Sequence, residues 1–476
     1  MCGCEGLLSE KRYLPIFAEK GIVMSYNMQR LTELFKRIHD NTSDKTIDTE
    51  KHRRLKILGG AGTVVQFTSD RGTLTLKVPE EGGKTLRIID EGVDAIELFV
   101  RELQKDNEIK EYVSPNGIEK QIEEVLRQNY GNINDFEAIV KTSIVKPIRE
   151  NIKTWEVYVP LVNLKIEKEL SLGDVSFVPN NLAANAINGF ISKGDYRFHG
   201  DNEEKKEDSR RAFLGQISQI TDGYSAFAKV KCKSHSSNIE AVATNKAFMA
   251  ITSIRAFLHV LCPNSMRALW GLPQEITSGL SGIVSLDYGE KHSFNLIYAK
   301  NGALTSFVLG LKSIERLQKI CHLETIQSIL NKPDTKRSCL ENVIINSLQA
   351  IGKAIVAPTT DMRFIGYITA IERLLIRDGE EATTEKFTDR LVFVFPTDRS
   401  TRLKLVTRSK ELYNKRSKML HAASFFDIFE EDEYDVENWA LNLVIFALRK
   451  SKEGYTHKQF CEEIINRKYQ GSNCKE

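Results

Sequence analysis

The segment Leu412-Tyr413-Asn414-Lys415-Arg416-Ser417-Lys418-Met419-Leu420-His421 sets an arginine and a histidine with four residues between them, at the end of a basic amphipathic stretch. An arginine holds phosphate with a permanent charge and a planar fork of donors, and a histidine exchanges a proton near neutral pH. Together they are a minimal kit for cutting RNA without a metal. Helix geometry complicates that chemistry, because positions 416 and 421 diverge by about 140° on an ideal helix. Convergence needs the helix to loosen at its end, the arginine to wrap round, or a second chain to complete the site. Asn414, Ser417 and His421 share a face at i, i+3 and i+7, so Asn414 or Ser417 could orient the imidazole. The plainer alternative is a histidine that gains from the dipole at a helix C-terminus.

Glu372 bears on the same chemistry. Ile365, Ile368, Glu372 and Leu375 follow the spacing 3, 4, 3 and fall on one face of a helix. A carboxylate on a stripe that should be buried needs a charged or hydrogen-bonding partner, and Arg416 or His421 is a candidate. A structural salt bridge inside a helical bundle is the competing reading. The stretch from Asp398 to Lys418 carries eight Lys or Arg against Asp398 and Glu411, whereas Asp427 to Glu437 carries seven acids and no base. That separation places a positive surface beside a negative one, fit to attract a polyanion or to pair with a second copy. A solvated helix face next to an acidic loop explains the same pattern.

The elements that must hold these residues read as follows. Apolar spacing predicts helices over Tyr26–Ile38, Ala95–Gln104, Ile118–Tyr130 and Ala247–Leu261. Short β-branched runs at Thr63–Phe67 and Leu74–Val78 read as a hairpin, and Trp155–Val162, Val175–Val178, Ile283–Leu286 and Phe294–Tyr298 read as strands. The charged run His199–Arg211 reads as a surface loop or flexible joint. Beyond Leu304 strand signals almost vanish, and candidate helices cover Leu304–Leu330, Ser338–Val356, Arg363–Arg377, Thr384–Phe395, Arg399–Leu420 and Val436–Lys450. The expected fold class is α+β, a mixed α/β N-terminal region followed by an all-α bundle. The expected divisions are a helical segment at 1–50, a mixed α/β sensor or regulatory domain at 51–303, the bundle at 304–455 and a tail at 456–476.

Composition narrows the function classes. A chain of 476 residues, 41% hydrophobic and 28% charged, has ordinary buried cores, and its net charge of +3 confines any nucleic-acid site to a local patch. The eight cysteines offer no set of metal ligands, so free thiols in a reducing cytosol are expected and no metal or cofactor is implied. No run of about 18 apolar residues and no export signal are seen, so the expectation is a cytoplasmic protein without a membrane partner. Gly59-Gly60-Ala61-Gly62 precedes β-branched residues rather than a helix, which favours a turn over a phosphate loop. His235, His259, His292 and His322 lack partners at ligand spacing, and core or surface roles are the default.

Ala370-Ile371-Glu372-Arg373-Leu374-Leu375, followed about 40 residues later by Leu412-Tyr413-x-x-Arg416-Ser417-Lys418-x-x-His421, resembles the HEPN superfamily and within it the Apea-like HEPN branch. The resemblance covers roughly residues 310 to 455, and Val157-Tyr158-Val159-Pro160-Leu161 is similar to the region before the HEPN domain in that branch. Many members are metal-independent endoribonucleases that dimerise so that two Arg-x4-6-His motifs face one cleft, and the branch is often associated with prokaryotic anti-phage defence. The resemblance implies Arg416 and His421 as catalytic, Glu372, Ser417, Asn414 and Tyr413 as supporting, and Lys415, Lys418 and Arg408 as RNA contacts. It also implies a homodimer through the bundle, with an unknown trigger sensed by the N-terminal region. Many members have Asn, Asp or His where Ser417 stands, and glycine where Ala422 stands. A non-catalytic HEPN dimerisation, RNA-binding or scaffold protein is the alternative.

Overall fold

The computed structural model describes residues 25–43, 55–58, 63–66, 68–69, 72–73, 86–191, 203–261, 269–276, 282–287, 293–298, 307–377, 379–395, 398–422 and 428–470. They fall into two units that divide between Lys153 and Thr154, with Lys233–Asn238 returning to the first.

In the first unit, α1 (Met28–Asp40) turns Leu31, Leu34, Phe35 and Ile38 inward, and the Asn27 side chain caps it by accepting the Arg30 N–H at 3.1 Å. Strands β1 (Thr42–Ser43), β2 (Leu55–Leu58), β3 (Thr63–Gln66) and β6 (Leu86–Ile89) form an antiparallel sheet in the order β1-β6-β2-β3, beside the two-residue pair β4 (Thr68–Ser69) and β5 (Gly72–Thr73). The expected run Leu74–Val78 and the Gly59-Gly60-Ala61-Gly62 turn lie outside the described residues. Helices α2 (Asp90–Leu103), α3 (Asn107–Tyr112), α4 (Pro115–Asn129), α5 (Phe136–Ile139) and α6 (Lys146–Glu150) close a core that includes Phe99, Ile118, Leu126 and Ile144.

The second unit opens with β7 (Ile152–Leu161), β8 (Leu164–Ile166), β9 (Leu170–Leu172) and β10 (Val175–Pro179), then α7 (Asn180–Ile191), α8 (Glu203–Gly223) and β11 (Ala226–His235). Its sheet runs β7-β11-β10-β9, with β10 antiparallel to both neighbours. After α9 (Ile239–Leu261) come the antiparallel pair β12 (Gly282–Asp287) and β13 (Ser293–Tyr298), and then β14 (Phe307–Leu309), which runs parallel to β8. The remainder is helical: α10 (Leu311–Ile320), α11 (Leu323–Leu330), α12 (Cys339–Val356), α13 (Thr360–Leu375), α14 (Thr384–Val394), α15 (Arg399–Ala422), α16 (Glu430–Lys452) and α17 (His457–Gln470). The fold is therefore α+β, a mixed region followed by a helical one. No described helix is long and apolar enough to cross a membrane.

Four expectations are corrected. The charged run 199–211 is not a loop where it is described: residues from Glu203 onward belong to α8, an exposed helix in which Glu207 faces Arg210 at 3.6 Å and Arg211 at 3.9 Å, pairs that support a helix without a core. The single helix expected over 304–330 is β14, α10 and α11, because Gly310 starts one helix and His322, in the left-handed region at φ 50°, separates it from the next. The tail expected at 456–476 contains α17, whose Phe460, Cys461 and Ile464 are fully buried. The division expected at 303 does not part the core among the described residues, where one hydrophobic cluster joins Leu161, Phe177 and Trp270 to Phe364, Leu412 and Ile464.

The close approach of α12 to α9 requires Gly352, where a Cβ would stand 2.5 Å from the Thr252 side chain. The C-terminus of α13 is held by polar contacts: the Leu374 carbonyl accepts from His457 Nε2 at 2.9 Å, and the Leu375 carbonyl accepts from Arg390. Glu380 then receives Arg390 at 2.7 Å and Arg377 at 2.8 Å. Hydrogen bonds from Arg390 first, and from Arg377, pull the Glu380 carboxyl down to about 2 against the effect of burial. A lowered folded pKa gives stability that is present above the ordinary value of 4.5 and lost as pH falls through about 2. Glu380→Gln, which leaves the nearly buried Arg390 without its carboxylate, is expected to cost about 3 kcal/mol at neutral pH. In urea titrations, the gap between wild type and variant should narrow as pH drops from about 4.5 towards 2; a constant gap would show that this carboxylate does not hold the helix end.

Candidate functional site

Helix α15 presents Ser409, Leu412 and Tyr413 inward, all buried, while Lys410, Asn414, Lys418 and Leu420 are exposed. Tyr413 stacks on Phe387 of α14 with ring centroids 4.5 Å apart. Its hydroxyl donates to Glu372 Oε1 at 2.7 Å, and Arg416 Nη2 donates to Glu372 Oε2 at 2.8 Å. The Arg416 guanidinium also lies over the Tyr413 ring, 5.6 Å from its centroid. Glu372 thus takes one hydrogen bond on each oxygen and ties α13 to α15. Burial first, and then the Glu372 carboxylate, push the Tyr413 hydroxyl above its ordinary pKa, so it stays a donor. Arg416 Nε is buried without a hydrogen-bond partner, a cost of about 1–3 kcal/mol that its neighbours offset.

Loosening of the helix does not bring Arg416 and position 421 together. Helix α15 runs unbroken through Ala422, so position 421 keeps helical register, and the His421 side chain lies outside the described residues. Lys410, Asn414, Ser417 and position 421 succeed one another at 4, 3, 4 along one face, while Arg416 is directed at Glu372. Asn414 Oδ1 accepts from Thr384 Oγ1 of α14 at 3.3 Å. Glu372 therefore joins Arg416 and Tyr413, whereas Asn414 and position 421 stand about 160° and 140° round the helix from Arg416, with Ser417 between them and Tyr413.

Two of the expected RNA contacts have internal partners. Every nitrogen of the Arg408 guanidinium meets a carboxylate: Nε meets Asp435 at 2.8 Å, Nη1 meets Glu411 at 3.1 Å and Nη2 meets Asp432 at 2.7 Å. Lys415 Nζ meets Asp432 at 2.8 Å and Glu411 at 3.4 Å. Burial works against the Arg408 charge, but the three carboxylates outweigh it and raise its pKa. Burial also opposes the charge of Asp432, where Lys415, the Phe429 N–H and Arg408 outweigh it and lower the pKa.

Sequence reasoning took the acidic run as a surface or a loop, and the structure corrects this. Helix α16 begins at Glu430 rather than Val436, so the run forms its first turns, where carboxylates complement the helix dipole. Asp432 and Asp435 meet α15, whereas Glu433 receives both Arg363 Nε at 2.8 Å and Nη2 at 3.0 Å, and Glu437 accepts from Tyr367 at 3.1 Å. Glu430 and Glu431 remain exposed. Acids at 432, 433 and 437 around the apolar Val436 and Trp439 were the available signal, since i, i+4 and i+7 put Asp432, Val436 and Trp439 on one face.

Among the described residues no group of three His, Cys, Asp or Glu side chains could hold a metal ion. The arrangement is a fixed guanidinium, a carboxylate bridge and a basic helix partly matched by acids. No family model matches this chain, and neither a curated protein nor a solved structure matches it.

Proposed function

We propose that the chain is a metal-independent endoribonuclease of prokaryotic anti-phage defence, acting in the cytoplasm as a homodimer through its helical region. The observation that supports this reading most is the Glu372 bridge, which holds the Arg416 guanidinium in one place at 2.8 Å on the same helix as position 421. In the proposed reaction His421 takes the proton of the ribose 2′-hydroxyl, that oxygen attacks the phosphorus in line, and Arg416 balances the charge that builds on the phosphoryl oxygens. The leaving 5′-oxygen recovers a proton, and a 2′,3′-cyclic phosphate remains. Arg416 and position 421 occupy different faces of one helix, so a second copy supplies the missing half of each site. The N-terminal region senses a trigger or restrains the nuclease.

A non-catalytic RNA-binding or scaffold role has its own supporting observation. Arg408, Lys415 and Arg416 all have carboxylate partners, as struts between helices would. The deciding experiment incubates the full chain with total RNA and excess chelator, comparing wild type with Arg416→Ala and His421→Ala. Cleavage that needs both residues and leaves cyclic phosphate ends supports the enzyme. Equal cleavage by the variants, or binding without cutting in the presence of infected-cell extract, supports the scaffold.

A further inference from the structure

We infer that the acidic start of α16, with Glu411 of α15, is an internal phosphate mimic, masking the basic row of α15 until a polyanion exchanges with its more exposed carboxylates. The inference rests on the RNA-directed reading above and concerns the regulation of that same surface. Lys404, Arg408, Lys415 and Lys418 follow one another at 4, 7 and 3 residues, a single row along α15 interrupted by Glu411. Such a row suits consecutive phosphates of a single strand. Its centre is covered, however, because Asp432 bridges Arg408 at 2.7 Å and Lys415 at 2.8 Å through its two oxygens, the geometry in which one phosphate group joins two cations.

Charge balance separates a mask from a plain strut. Two cations need two carboxylates, yet the cleft of about 670 Å³ at this place is lined by Glu411, Glu430, Glu431, Asp432 and Asp435 against only Arg408 and Lys415. The excess negative charge repels RNA from the part of the row best placed to hold it. The carboxylates also differ in how firmly they are fixed. Asp432 has a side chain only 2% exposed and accepts the Phe429 N–H at 3.0 Å as part of the helix start, so it is structural. Asp435 and Glu411, with side chains 35% and 49% exposed, are open to exchange with phosphate oxygens.

The test measures binding of a single-stranded 2′-O-methyl RNA oligonucleotide, which cannot be cut, to the full chain across a salt series. Asp435→Asn with Glu411→Gln is expected to tighten binding about tenfold and to steepen the dependence of log K on log salt by about 0.7–1.4, one or two added phosphate contacts. Adding Arg408→Gln should cancel both gains, and a matched neutralisation on α8, Glu204→Gln with Asp208→Asn, should produce neither. Glu430→Gln with Glu431→Gln, which touches no α15 contact, should give a smaller gain of the same sign and serves if the first pair melts early. Unchanged affinity and slope in variants that melt like wild type, or a gain that survives Arg408→Gln, overturns the mask. If cleavage still needs Arg416 and His421 in that case, the nuclease reading stands without it; if no form binds the oligonucleotide, both fall.

Discussion

His421→Ala is expected to lower RNA cleavage by about two to four orders of magnitude, the usual worth of a positioned acid–base group, while leaving thermal melting near wild type. Arg416→Ala should lower cleavage too, but for two entangled reasons. It removes the proposed phosphate contact, and it leaves Glu372, 12% exposed at its side chain, with the Tyr413 hydroxyl and no cation. Breaking a mostly buried pair from one side costs about 3–5 kcal/mol, so lost activity in that variant cannot by itself assign a catalytic role. Arg416→Lys is the better probe, because an ammonium still answers Glu372 but lacks the planar fork, and cleavage should fall with a much smaller melting shift. The proposed shared site adds a complementation test. Mixing Arg416→Lys chains with His421→Ala chains should restore about a quarter of wild-type cleavage, since half of random dimers then hold one intact composite site of two. No recovery on mixing would place both groups in one chain; a wild-type rate in His421→Ala would remove the histidine from the chemistry.

Some of this structure was legible in the sequence for reasons that remain visible in it. Helix α12 starts where Ser338 and Glu341 form a reciprocal capping box, and it ends before Pro358. Helix α1 follows a clean apolar period, and β12 and β13 pair as two short, largely apolar runs should. Other elements were hidden by the signals that normally reveal them. Among its described side chains helix α8 has few buried positions, so no apolar stripe announced it, and its support from Glu207 and the two arginines looks in sequence like any charged loop. The break at His322 is a single left-handed residue that is neither glycine nor asparagine. Helix α17 was passed over because its inward residues, Phe460, Cys461 and Ile464, are sparse among charges.

The candidate site divides in the same way. The spacing 3, 4, 3 put Glu372 on the face of Ile368 and Leu375, which are fully buried, and the need for a partner is met by Arg416. Position 421 was placed by helix geometry at a wide angle from Arg416, and the unbroken α15 keeps it there. The partners of Arg408 and Lys415 were not legible, because a run of seven acids is read as solvated unless its helical phase is known. Once α16 starts at Glu430 the phase is fixed, and neighbouring acids are sent to different helices: Asp432 to α15 and Glu433 to α13.

Arg363→Ala is expected to be the most destabilising single change in the helical region, at about 3–5 kcal/mol, read as a lower urea midpoint at neutral pH. The pair it breaks is bidentate and enclosed, with side-chain exposure of 10% for Arg363 and 4% for Glu433. Arg363 also donates to Thr360 Oγ1 at 2.9 Å and to the Ala357 carbonyl at 3.2 Å, so the start of α13 loosens with it. Replacing both partners with apolar residues, Arg363→Met with Glu433→Leu, should recover most of the loss, since no charge is then stranded in the core. A single variant as stable as wild type would show that the pair costs as much to desolvate as it returns. The change should also reach the proposed RNA surface, because the Arg363 contact anchors the start of α16 that carries Asp432 and Asp435 to Arg408. Releasing that turn weakens the internal carboxylates in their competition with phosphate. Arg363→Ala should therefore bind the 2′-O-methyl oligonucleotide more tightly while folding less stably, and a parallel loss of both would separate the anchor from the mask.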